Sequence, residues 1–137
     1  MLMLAEIVDK MPTATGMWAC SASGTIVLLV IVFTNRWAAL VATALALLIS
    51  TVSALNVYDE CFREPFFQQA IWNELGVTWV VHSFASAISP FAAVLIATIV
   101  KWRVETRQLR IKRGLCPACA YPVGEGPICT ECGKSCR

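Results

Sequence analysis

Apolar residues fall in three long blocks, 17–33, 37–57 and 77–100, separated by short polar segments. None of the three blocks alternates with the period of an exposed strand or carries a charged helical face. From Gly16 to Val57 the only charge is Arg36, and the third block holds only His82 and Pro90 as unusual members. A helix that is apolar all round belongs in lipid or in a large protein core. At a rise of about 1.5 Å per residue, the second and third blocks reach roughly 30 Å, the thickness of a bilayer core. The first block is shorter, and Ser21, Ser23, Gly24 and Thr25 make its leading half polar. The pattern predicts an all-α membrane domain over 1–100 with three spans, and a two-span chain is the alternative.

The breaks between blocks predict the connections. Thr34-Asn35-Arg36 is short enough to force an antiparallel helical hairpin. Between the second and third blocks, Asp59, Glu60, Glu64 and Glu74 outnumber Arg63. Pro65 suits a first helical turn and Gly76 a stop. Phe67, Ile71 and Leu75 recur at i+4 with Phe66 and Ala70 beside them, which fits a short amphipathic helix on a membrane surface or a loop packed on the helix ends. Leu2, Leu4, Ile7, Val8 and Met11 fit one face of a short interfacial helix, broken by Pro12 to Gly16. The basic region of a cleavable signal is missing there.

Composition agrees: 58% of residues are hydrophobic and 15% charged, against about 25% charged in soluble proteins. The net charge of +2 becomes informative when divided by side. With three spans, one side receives Arg36, Lys101, Arg103, Arg107, Arg110, Lys112, Arg113, Lys134 and Arg137, and the other receives Lys10 and Arg63. Basic residues accumulate on the cytoplasmic side. The expected location is therefore the plasma membrane, with the carboxyl end cytoplasmic and the amino end outside. Trp18, Trp37, Trp72, Trp79 and Trp102 all fall near block boundaries, where amphipathic rings concentrate. Lys101 to Arg113 contains no Gly or Pro, so the third helix continues as a basic juxtamembrane segment over 101–113, suited to anionic lipid headgroups.

The remaining chemistry lies in 114–137. Cys116-Pro117-Ala118-Cys119 and Cys129-Thr130-Glu131-Cys132 are two C-x-x-C pairs separated by nine residues. Each tight turn aims two sulfurs at one point, and four thiolates suit tetrahedral Zn²⁺. Tyr121-Pro122 and Gly124-Glu125-Gly126-Pro127 supply the return between the pairs. Gly133 stands where a knuckle needs positive φ. Leu115, Tyr121, Val123 and Ile128 are too few to make a core, so metal binding would have to supply the stability. A disulfide framework and a rubredoxin-like iron site use the same spacing.

Gly114-Leu115-Cys116-Pro117-Ala118-Cys119-Ala120-Tyr121 with Cys129-Thr130-Glu131-Cys132-Gly133 resembles a short zinc ribbon, and more narrowly the ribbon tails that end many small, uncharacterised bacterial membrane proteins. The resemblance covers about 20 of the 137 residues. It implies one structural zinc held by Cys116, Cys119, Cys129 and Cys132, and no catalytic role. Ala120 departs from the Gly usual in the first knuckle, and Thr130 from the Pro usual in the second.

Other residues are weaker candidates. His82, Ser86 and Ser89 share one face of the third helix, at a depth that Ser21, Ser23, Ser53 and Asn56 also reach in an antiparallel bundle. Such groups serve as interhelical hydrogen-bond glue or as an intramembrane ligand site. Pro90 leaves the Ser86 carbonyl without its helical partner. Ala38, Ala42 and Ala46 form a small-residue face fit for close helix approach, within the chain or in an oligomer. Cys20 and Cys61 fall on the outer side, where a disulfide is chemically accessible, and Cys136 is a bystander or exchange ligand. No nucleophile–base pair, paired catalytic carboxylates, phosphate loop or H-E-x-x-H motif occurs. The sequence therefore predicts a non-enzymatic membrane protein that presents a cytoplasmic zinc ribbon to a protein or nucleic acid. A redox or thiol-sensing tail and a structural subunit of a membrane complex are the alternatives.

Overall fold

The computed structural model describes residues 13–63, 65–123 and 128–135. The side chains of Phe66, Phe67, Ala70 and Glu74 are outside that description. So are the amino-terminal interfacial helix expected from Leu2 to Met11, the turn 124–127, Cys136 and Arg137. The chain divides into two compact units that meet between Thr98 and Ile99.

The first unit is helical. Helix α1 spans Ala14–Val32 and α2 spans Arg36–Tyr58. A π-helical turn, Asp59–Arg63, extends α2. Then come α3, Pro65–Ala70, a second π-helical turn, Ile71–Leu75, and α4, Gly76–Lys112, which runs on into the second unit. Three of these helical stretches are long and apolar enough to cross a membrane. Apolar side chains point outward along them: Ile26, Val30, Leu48, Leu55 and Ile96 are all more than half exposed. That is the reverse of a soluble bundle, and it fits a chain surrounded by lipid.

Local chemistry sets the helix starts. Thr13 caps α1, its hydroxyl accepting the Gly16 amide at 3.2 Å. Of the expected break over Pro12 to Gly16, the described part is confined to Thr13, in extended backbone, and the helix already runs through Gly16. Asn35 caps α2 in extended backbone, its Oδ1 accepting from the Ala38 amide at 2.7 Å. Leu28 and Val32 of α1, Ala39, Ala42 and Ala46 of α2, and Val94 of α4 form the buried core. Ala42 and Ala46 are thus covered within the chain, while Ala39 takes the place expected of Ala38.

A second cluster closes the other end: Cys61, Ile71 and Val80 are buried with Val57, Trp79 and Phe84 against them. Ile71, with Leu75 packed beside it, is buried in this cluster instead of facing outward, which agrees for these two residues with a segment packed on the helix ends. The Trp72 indole donates to the Cys61 carbonyl at 3.2 Å, serving a backbone group in the π-helical turn. Gly76, with φ of 72°, is the first residue of α4 and turns the chain out of the second π-helical turn.

Polar contacts tie the helices together. The Ser21 hydroxyl donates to the Ser86 carbonyl at 2.9 Å and lies 2.9 Å from the Ser89 hydroxyl, which also bonds that carbonyl. The carbonyl that Pro90 leaves open is thereby satisfied from α1. The Trp18 indole donates to His82 Nδ1 at 3.2 Å. Nearer the other end, the Thr43 and Thr98 hydroxyls meet at 2.9 Å. Among the described residues, Ser23 bonds the Cys20 carbonyl of its own helix, and Asn56 is exposed. Cys20 and Cys61 are free thiols.

Candidate metal centre

The second unit begins inside α4 and turns into the cysteine segment through a helix stop. The Gly114 amide donates to the Ile111 carbonyl at 3.0 Å and the Leu115 amide to the Arg110 carbonyl at 2.9 Å. This pair of bonds is a Schellman motif, and its left-handed position falls on Gly114, with φ of 69°. The helix therefore hands over to the first knuckle in one residue.

The two C-x-x-C pairs fold as copies of one another. In the first, the Cys116 amide donates to the Tyr121 carbonyl and the Ala120 amide to the Cys116 carbonyl, at 2.7 and 2.9 Å. In the second, the Cys129 amide donates to the Lys134 carbonyl and the Gly133 amide to the Cys129 carbonyl, both at 2.9 Å. Each turn is closed by an antiparallel bridge, Leu115 with Pro122 and Ile128 with Ser135. Ala120 and Gly133 occupy the same station and share a positive φ, 63° and 66°. Sequence comparison of the two pairs locates this station, but only the geometry shows that alanine is held there in the left-handed region.

All four sulfurs converge: Cys116, Cys119, Cys129 and Cys132 have their sulfurs within 4.8 Å of one another. Across the knuckles, the Cys116 and Cys132 sulfurs lie 3.7 Å apart and those of Cys119 and Cys129 3.5 Å apart. A tetrahedron with metal–sulfur bonds of about 2.3 Å has edges of about 3.8 Å. The donor set is thus near the size that a tetrahedral thiolate site demands, and the four cysteines are free of disulfides. The four residues singled out by spacing are brought together, while Cys20 and Cys61 belong to the helical unit.

Backbone amides prepare the sulfurs unequally. The Cys119 and Ala118 amides point at Cys116 and hold its thiol down at about 6. The Cys132 and Glu131 amides do the same for Cys129, whose pKa is also lowered. Cys119 receives the Tyr121 amide, which favours its thiolate, yet burial and the neighbouring sulfurs of Cys129, Cys132 and Cys116 outweigh that bond and push it up to about 12. Four close sulfurs cannot all ionise without a cation among them. A divalent metal resolves that conflict, and the all-sulfur donor set favours zinc or iron over oxygen-seeking ions.

Outside the knuckles, the Arg110 guanidinium donates through Nη1 to the Pro117 carbonyl at 3.1 Å and the Ala118 carbonyl at 3.4 Å. This clamp from the helix onto the first knuckle has no signature in the sequence beyond a basic residue at the right distance. No family model, curated protein or solved structure matches this chain.

Proposed function

We propose that the chain is a non-enzymatic integral membrane protein that presents a Zn²⁺-loaded ribbon at the cytoplasmic face, where the ribbon docks a protein or a nucleic acid. The observation that carries the reading is the convergence of four sulfurs in two matching knuckles. That architecture builds a rigid closed site with no open ligand position, as structural zinc centres do. Zinc bound there would offset half of the thiolate charge and hold the two knuckles together. The tail has little apolar core of its own, so its surface would exist only when the metal is bound. The cytoplasmic placement is supported by the basic bias of nine to two and by the reduced state that thiolate ligands need.

The test uses the full chain, solubilised in neutral detergent and immobilised through its amino end. Candidate cytosolic proteins and nucleic acid are captured from lysate with the metal present, after chelation, and after zinc is restored. Retention that follows the metal through both steps supports docking. Binding indifferent to chelation, or none at all, overturns it. The same preparation separates zinc from a rubredoxin-like iron centre: a colourless protein holding one zinc is expected, and visible thiolate-to-iron absorption would replace this reading with an electron-transfer one.

A further inference from the structure

The arginines of the second unit's helix fall mainly on one side of it, with Lys101 and Lys112 on the other. At 3.6 residues per turn, Arg103, Arg107 and Arg110 share one face of α4. The acidic residue of this stretch, Glu105, lies on the opposite face, where it meets Lys101 at 3.6 Å. Neither Arg103 nor Arg107 has a carboxylate partner among the described residues. The arginine face is walled by the first metal knuckle, forming a groove of about 430 Å³ lined by Trp102, Arg103, Thr106, Arg107, Arg110 and Pro117.

Like charges at i+3 and i+4 repel, so three guanidiniums along one face cost stability unless an anion lies among them. Their forked donors match phosphate oxygens, and Thr106 adds a hydroxyl. The groove opens two residues beyond Val100, where the third apolar block ends, and Trp102 is half exposed at that end. A tryptophan in this position is suited to the headgroup layer. Arg110 is fixed by its bonds to the Pro117 and Ala118 carbonyls, which makes the wall and the arginine face one structure.

We propose that this groove is a binding site for the phosphate of an anionic lipid headgroup. The inference rests on the membrane reading but not on the docking of a partner. Partner capture can fail while lipid binding holds, and the reverse. The site differs from a diffuse basic collar because only one face of the helix contributes.

The experiment is native mass spectrometry of the full metal-loaded chain in neutral detergent, titrated with dioctanoyl phosphatidic acid. Saturable binding of a single lipid is expected, and dioctanoyl phosphatidylcholine should not compete. Arg107→Ala should weaken binding about five- to tenfold, with Arg103→Gln as an independent second variant. Lys112→Ala removes the same charge from the opposite face and should leave binding unchanged. If Lys112→Ala weakens binding as much as Arg107→Ala, the attraction is diffuse and the groove is no site. Equal displacement by inorganic phosphate would make it a free-phosphate site. Tighter binding of oligothymidylate, lost in the same arginine variants, would make it a nucleic-acid site. Either result overturns the lipid assignment.

Discussion

The paired knuckles turn one residue into an internal control. Ala120 and Gly133 hold equivalent left-handed backbone, but only Ala120 has a Cβ. Left-handed backbone costs an L-residue about 1–2 kcal/mol, and glycine recovers part of that against its own entropy. Nothing lies within 4 Å of a Cβ built at Gly133, so conformational strain would dominate the effect of adding one. Ala120→Gly should therefore tighten zinc binding by up to about fivefold, and Gly133→Ala should loosen it by about fivefold or more. Competition against a chromophoric chelator measures both. Shifts in the same direction would show that the two knuckles are not equivalent. Cys116→Ser should abolish tetrahedral binding, seen as loss of stoichiometric zinc in the purified protein.

At the scale of elements, the helices are joined where backbone chemistry has been left incomplete. Pro90 removes the amide that Ser86 would otherwise receive, and Ser21 and Ser89 replace it. Interhelical hydrogen bonds in membranes average about 0.6 kcal/mol and reach about 1.7 kcal/mol. Ser21→Ala should lower thermal stability in detergent within that range, while Ser23→Ala, which loses a bond only within its own helix, should be close to neutral. A cycle with Pro90→Ala isolates the cause. When an amide is restored at position 90, the cost of Ser21→Ala should largely disappear. Additive effects would show that Ser21 acts through packing and not through the open carbonyl.

The same elements show what the sequence could and could not display. The cysteines were legible because a C-x-x-C turn fixes its own sulfur geometry, independent of the remaining fold. The proline likewise marked the open carbonyl at Ser86, and depth along the helices marked Ser21 as a neighbour. The fate of the alanine face was not legible. Small residues permit close approach but do not choose a partner, and Ala42 and Ala46 are covered by α1 and α4 of the same chain. Ala42→Leu should therefore destabilise the monomer by about 1–3 kcal/mol through overpacking. Thermal unfolding in detergent measures it, and unchanged stability with a dissociated oligomer would instead put this face between chains. The π-helical turns escaped prediction because they depend on contacts among Cys61, Ile71 and Val80, distant in sequence and without a local period.

For the whole molecule, orientation decides which of the proposed surfaces can work. The basic residues divide nine to two, which predicts a cytoplasmic tail and an external Tyr58–Gly76 connection. Cys61 lies in that connection, but it is buried and would resist a bulky reagent. Asn73 is exposed in the same connection, so Asn73→Cys in a Cys20→Ala background is the better probe. A membrane-impermeant maleimide should label Asn73→Cys in intact cells, and a tag after Arg137 should become accessible only after permeabilisation. Labelling of the tag in intact cells would place the thiolates in an oxidising compartment and remove the ribbon from cytosolic partners. If the tail is inside and a tag before Met1 is also inside, α1 does not cross the bilayer. The metal centre would survive that outcome, since its bonds lie wholly within Ile99–Arg137. The serine bridge between α1 and α4 would not survive as an interaction at membrane depth, because Ser21 and Ser86 could no longer share one side of a three-span bundle.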